Sequence, residues 1–122
     1  MVEDRVTDGK RIAQLLSSEL SGRETGPLGS VTVVDADPRA KPNESGTEAY
    51  GIAVEGTRVG TVWLYPEYAT VRLGAGADTA VGAATDAGIP AQREGYDAVL
   101  RVESGVAVKR AVDAVAAAVG RD

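Results

Sequence analysis

Asp35 and Asp37 stand two residues apart in Val-Val-Asp-Ala-Asp-Pro, at the end of a β-branched run. Carboxylates so spaced at a strand end can both point at one Mg²⁺ ion, as transferase and phosphatase sites require. No further acidic motif accompanies the pair, and Asp before Pro is ordinary turn chemistry. We read it as a turn. The chain has no His and no Cys, so the usual nucleophile–base dyads and triads cannot be assembled and a thiolate zinc site is excluded. We expect no cofactor and no catalytic residue. An enzyme resting on Asp35 and Asp37 is the reading with least in its favour.

Gly74-Ala75-Gly76-Ala77-Asp78 joins an expected strand to an expected helix, the place where a glycine-rich loop can cradle phosphate. It lacks the third Gly of a dinucleotide fingerprint and the Lys-Ser/Thr of a P-loop, and it puts a carboxylate where phosphate would sit. A flexible joint capped by Asp78 is the plainer interpretation. Lys109-Arg110 on the expected last helix, beyond Arg101 on the preceding strand, is a small basic spot with Glu103 and Asp113 as neighbours, read as a solvated face. Asn43-Glu44-Ser45 matches a glycosylation sequon and is read as accidental. What remains is an aromatic and arginine set, Tyr50, Trp63, Tyr65, Tyr68 and Arg72, whose use depends on the elements that place it.

Residues 7–21 put Ile12, Leu15, Leu16 and Leu20 at helical spacing, weakened at the start by Gly9 and stopped at Gly22. Strands are expected over 30–36, 48–55, 58–65, 68–73 and 96–103. The stretch 37–47, with two prolines and a glycine, is expected to be a mobile loop. Ala77–Ala87 reads as a short helix with Gly88 just past its end and Ile89 folding back. Ser104 is expected to cap a last helix carrying Val108, Ala111, Val112, Val115 and Val119 on its buried stripe. The order α-β-β-β-β-α-β-α predicts one α+β domain over 1–122. It is a two-layer sandwich, an antiparallel sheet of about five strands with the N- and C-terminal helices on one face.

Gly56-Thr57 suits a two-residue turn with Gly first, a register that pairs Glu55 with Arg58. Alternation from that turn divides the meander into two faces. Ala49, Gly51, Ala53, Gly60, Val62, Leu64, Ala69, Val71 and Leu73 form the expected core face. Tyr50, Ile52, Val54, Val59, Thr61, Trp63, Tyr65, Tyr68, Thr70 and Arg72 form the other, too apolar for a freely solvated sheet. Its aromatic, Thr and Arg composition is that of a contact patch. Three covers are open: the middle helix or long loop of the same chain, a second copy, or a ligand or other macromolecule.

Acidic residues number 18 against 13 basic, a net charge of −5, and the bases are nearly all Arg. This profile suits solubility in a salty cytoplasm; a GC-rich genome also favours Ala, Val, Gly and Arg but leaves the acid excess unexplained. The charge disfavours a large nucleic-acid footprint, although at molar salt the Debye length of about 3 Å blunts that argument. The acidic opening Met-Val-Glu-Asp-Arg is not read as a signal peptide, and no apolar run approaches the ~20 residues of a membrane span. We expect a cytoplasmic protein with no membrane partner.

The composition, with its Val-Arg-Leu, Asp-Ala-Val and Ala-Val-Asp-Ala-Val blocks, resembles that of small proteins abundant in haloarchaea. The stretch from Tyr50 to Val119 resembles the secretion-chaperone-like fold, especially its YjbR-like members. It carries Tyr-Gly-Ile-Ala-Val-Glu-Gly, Val-Trp-Leu-Tyr-Pro, Val-Arg-Leu and Val-Leu-Arg-Val before the last helix. That resemblance implies a two-layer fold, and members include dimerising chaperones and domains proposed to contact nucleic acid. The expectation is a non-catalytic binding module, homodimeric through the sheet face around Trp63, with a further protein partner as an option. The alternative is a nucleic-acid module that stacks bases on Trp63, Tyr65 and Tyr68 beside Arg72.

Overall fold

A computed structural model describes residues 8–21 and 31–119. Among them the chain forms six strands and three α-helices. The first helix, α1 (Gly9–Ser21), is started by Asp8: its Oδ1 accepts from the backbone N–H of Lys10 (2.8 Å) and Arg11 (3.3 Å), closing the first turn. Ile12, Ala13, Leu16 and Leu20 form its buried stripe. Gly22 lies outside the described residues.

Strands β1 (Val31–Val34), β2 (Thr47–Val54), β3 (Thr57–Leu64) and β4 (Ala69–Leu73) run as an antiparallel meander. The chain then crosses through α2 (Ala77–Asp86) to a hairpin of β5 (Ala91–Glu94) and β6 (Asp97–Val102), and β6 returns beside β4. The sheet order is β1-β2-β3-β4-β6-β5. A 3₁₀ turn at Gly105–Ala107 leads into α3 (Val108–Val119). The α+β two-layer architecture is as expected, with six strands in place of about five. The unexpected strand is β5, whose Ala-Gln-Arg-Glu sequence shows no apolar alternation. Its inward Arg93 pairs with Asp78 on α2 and donates to Gly95 O at 3.1 Å.

All three helices share one side of the sheet: α3 packs against both α1 and α2, and their buried residues join those of the strands in one core. Val62, Leu64, Ala69, Val71, Leu73, Ala98, Leu100 and Val102 point into that core. Many of the helix residues in it are Ala (Ala13, Ala77, Ala80, Ala84, Ala111, Ala114 and Ala118), small enough for backbones to approach closely. The middle helix therefore does not cover the aromatic face. No helix among the described residues is long and apolar enough to cross a membrane.

The β2–β3 turn corrects the expected register. The turn residues are Glu55 and Gly56, both at positive φ (50° and 86°), and Val54 pairs with Thr57. That is a type I′ geometry, whose twist matches the flanking strands. Glu55 consequently does not pair with Arg58. The shift of one residue exchanges the faces of β2: Tyr50 faces Val62 and Ile52 faces Gly60, on the helix side. A register shift between Ile52 and Ala53 leaves Val59 unpaired on β3, and a second leaves Ala49 unpaired on β2. The first lets Gly60 to Leu64 keep their expected faces while Tyr50 and Ile52 reverse; the second returns Glu48 to the open side, opposite Trp63.

The helix ends differ in how far they follow expectation. At the end of α2, Gly88 has φ 83°, its N–H bonds Thr85 O (3.0 Å), and Ile89 N–H bonds Ala84 O (2.8 Å), as predicted for a left-handed C-terminal cap. At the start of α2, Gly76 holds the cap position and Asp78 lies in the first turn, so Asp78 is not the N-cap. Ser104 likewise makes no side-chain cap; its carbonyl accepts from Ala107 N–H (3.2 Å). The 37–47 segment is held by Lys10, whose Nζ donates to Pro38 O (2.9 Å) and Ala40 O (2.8 Å). Asp37 Oδ1 accepts from Arg39 N–H, and Thr47 Oγ1 donates to Lys41 O.

Candidate binding site on the open sheet face

Alternation along β3, β4 and β6 sends Trp63, Thr70, Arg72, Val99 and Arg101 to the side of the sheet opposite the helices. Tyr65 and Tyr68 flank the Pro66-Glu67 turn at one end of this face. Tyr65 N–H donates to Tyr68 O (2.9 Å), and their rings stack at 4.6 Å between centroids and 14° between planes. The guanidinium carbon of Arg101 lies 3.9 Å from the centroid of Tyr68. Arg101 also forms an ion pair with Glu103 through its Nε (2.7 Å). Two tyrosines and an arginine thus form one contiguous stack.

At the other end, Arg72 bridges Glu94 on β5 (2.7 Å) and Asp97 on β6 (3.2 Å). The Glu94 bond first and the Asp97 bond second hold the Arg72 proton more firmly than in a free guanidinium. Glu94 also accepts from the Gln92 amide (2.9 Å), and that bond, followed by Arg72, lowers its carboxyl pKa below the ordinary value. Toward β1, Arg58 pairs with Asp35 (3.1 Å) and Glu48 (2.6 Å) and donates to Thr61 Oγ1 (3.1 Å). Arg58, Arg72 and Arg101 are therefore matched against Asp35, Glu48, Glu94, Asp97 and Glu103. Carboxylates outnumber guanidiniums there, and both signs are present across the face.

Between the ends runs a groove of two adjoining clefts, about 470 Å³ and 340 Å³, that share Tyr65, Thr70, Glu94 and Val99. Trp63 and Ser45 border the smaller one. Trp63 is half-buried, and its indole N–H is buried without an acceptor among the described residues. Leaving such a donor unpaired costs about 1–3 kcal/mol.

Of the five residues expected to bind, the structure gathers Trp63, Tyr65, Tyr68 and Arg72 around this groove. Tyr50 is the exception and is corrected: it is buried on the helix side, and its hydroxyl donates to Ala13 O at 2.7 Å. Asp35 is spent on Arg58 and Asp37 on its own turn. Among the described residues no three acidic, His or Cys side chains cluster as metal ligands would. Sequence reasoning left Arg101 on a solvated basic spot and did not single out Glu94 or Asp97, because they reach the face only when the β5–β6 hairpin is placed beside β4. A further cleft of about 340 Å³, between α1 and residues 36–38, is mainly apolar. Its Lys10 amine and Tyr50 hydroxyl are already bonded to backbone carbonyls, so it offers little to orient a ligand.

A protein-family model described as a family of unknown function (DUF7993) matches residues 1–121. No curated protein matches the chain, and no solved structure does.

Proposed function

We propose that this chain, which belongs to that family of unknown function, is a non-catalytic cytoplasmic binding module of a salt-adapted cell whose open sheet face takes a second copy of itself. The observation that carries the reading is the Tyr65–Tyr68–Arg101 stack beside a groove with both signs of charge. A two-fold contact sets one patch against itself, so a face bearing guanidiniums and carboxylates together is self-complementary. Aromatic residues and Arg are the types enriched at such contacts. The resemblance to a fold that includes dimerising chaperones agrees with it.

Size adds a condition to the reading. Six strands about 4.8 Å apart and roughly five residues long at about 3.3 Å each give a face near 500 Å². A standard interface takes about 800 Å² per partner, so the rim of the sheet must contribute as well.

The same stack favours a second reading, base stacking on single-stranded nucleic acid. The excess of carboxylates over arginines on the face stands against it, because phosphate contacts need unpaired cations. Light scattering and native mass measurement across a concentration series in molar KCl decide the first reading: two chains per particle are expected, and a monomer throughout rejects it. Salt-dependent binding of a single-stranded oligonucleotide by that monomer would select the second reading.

A further inference from the structure

We infer that the groove holds a small neutral saccharide, bound over Thr70. Thr70 is buried, only 8% exposed, and it lines both clefts. Its hydroxyl nevertheless makes no hydrogen bond among the described residues. Directly opposite it on the β3–β4 ladder stands Trp63, whose indole N–H is buried without an acceptor. Cross-strand partners hold their β-carbons about 4.5–5.5 Å apart. An unpaired hydroxyl and an unpaired donor therefore adjoin on the floor of one groove. Folded chains rarely leave such groups unmatched, and an oxygen-bearing ligand would match both. The inference goes beyond the self-contact and does not rest on it, since both groups are unpaired within a single chain.

The lining selects the ligand's chemistry. Glu94 accepts from Arg72 through one oxygen and from Gln92 through the other, which leaves about two of its four acceptor sites. Trp63 offers only a donor, Glu94 only acceptors, and Thr70 both. A ligand hydroxyl also donates and accepts, so neighbouring hydroxyls on one ring can serve all three. Tyr65, Pro90 and Val99 give the apolar wall against which the C–H face of such a ring packs. An anion would meet the Glu94 carboxylate, while Arg72 and Arg101 are already paired with Glu94, Asp97 and Glu103. A cation would leave the Trp63 donor unmatched. Clefts of about 470 Å³ and 340 Å³ lie within the ~300–1,000 Å³ of small-molecule sites.

Trp63 is the single Trp of the chain, so its fluorescence reports on the groove. Titrating the full chain in molar KCl with glucose, galactose and trehalose tests the assignment, with adenosine monophosphate as the charged aromatic control. At least one saccharide should give a saturable change, and adenosine monophosphate none. Thr70→Val keeps the side chain's shape without its hydroxyl and should weaken that binding at least about tenfold. The same variant should melt no lower than the wild type, because the hydroxyl it removes has no partner in the chain. No saturable response to any of the sugars overturns the inference, as does a response that Thr70→Val leaves unchanged. A lowered melting temperature in Thr70→Val would show the hydroxyl bonded within the chain and also overturns it. A response to adenosine monophosphate alone gives the groove to a base instead. Light scattering on the same samples keeps the dimer reading separate: a monomer that binds saccharide rejects that reading and upholds this one.

Discussion

Gly9 lies against the backbone of Tyr65 so closely that a β-carbon on it would sit 1.8 Å from the Tyr65 carbonyl oxygen and 2.4 Å from that of Tyr68. Its N–H also donates to Pro66 O at 3.3 Å. The first residue of α1 is thereby a clamp on the turn that carries the stacked tyrosines. The helix layer and the open face are linked at this point. From helix propensity alone, Gly9→Ala should stabilise by up to about 1 kcal/mol. The contact reverses the sign: the turn must move, and we expect a loss of about 2 kcal/mol or more, in the range of strained or overpacked sites. Denaturant unfolding gives the stability change, and a change in near-ultraviolet tyrosine signal would report the displaced stack. A stabilised variant would show that the clamp is absent.

Glu55 sits at φ 50° ahead of Gly56 at φ 86°, in a turn type that favours Asn or Asp followed by Gly. A non-glycine residue other than Asn or Asp is strained in that region. Glu55→Asn should therefore raise stability by about 0.5–1 kcal/mol, seen as a rise of several degrees in melting temperature. The substitution leaves the exposed turn otherwise untouched. Under the alternative register, with Gly56-Thr57 as the turn, Glu55 would be an ordinary strand residue and Asn would destabilise it.

The same turn explains what the sequence conceals. The helical stripes of α1 and α3 and the alternation in β3 and β4 are local patterns, and each is visible in the spacing of Leu, Val and Ala. The side to which β2 turns is not local: it depends on a one-residue choice between Glu55-Gly56 and Gly56-Thr57. That choice is only made unambiguous by burying Tyr50 and Ile52 on the helix side, where the Tyr50 hydroxyl reaches Ala13 O of α1. β5 is hidden for a different reason. Its four residues carry Gln, Arg and Glu, and it is a strand because β6 offers it a pairing edge and Asp78 meets Arg93. Arg101 joins the tyrosines through a crossover pairing of β4 with β6, a relation between distant segments that no spacing encodes. The aromatic face was legible as a set of residue types; its charge balance was not.

Arg72, shared between Glu94 and Asp97, should show its effect through acid and salt. Glu94 has a lowered carboxyl pKa in the folded state. A depressed pKa contributes stability that is present above the ordinary carboxylate value and is lost as pH falls through the folded value. Removing the guanidinium by Arg72→Ala returns Glu94 toward its ordinary value, so the variant should lose less stability than the wild type on acidification. At neutral pH the variant should be the less stable protein. That gap should narrow in molar KCl, since these groups are about a third or more exposed and are screened. Thermal melts over a pH series at low and high salt check both statements. A gap that does not change with salt would mean that Arg72 acts by packing.

Ionisation of the Tyr50 phenol must be coupled to folding. It is buried beneath α1, its hydroxyl donates to Ala13 O, and burial raises its pKa above the usual tyrosine value. A group with a raised pKa contributes stability that is intact below its unfolded value, near 10, and that disappears as pH climbs toward the folded value. The wild type should therefore lose stability on the alkaline side of pH ~10, with Tyr50 deprotonating only as the chain opens. Tyr50→Phe removes the buried hydroxyl and its bond to Ala13 O, costing about 0.5–1.5 kcal/mol near neutrality. It also removes the proton whose loss opposes folding, so the variant's stability should fall less steeply above pH ~10 and the two curves should converge. Tyrosinate absorbance followed beside circular dichroism, in the wild type and in Tyr50→Phe, isolates the Tyr50 phenol by difference: its part of the signal should appear together with the loss of structure. A Tyr50 signal that appears before any loss of structure would place Tyr50 at the surface and overturn the register of β2.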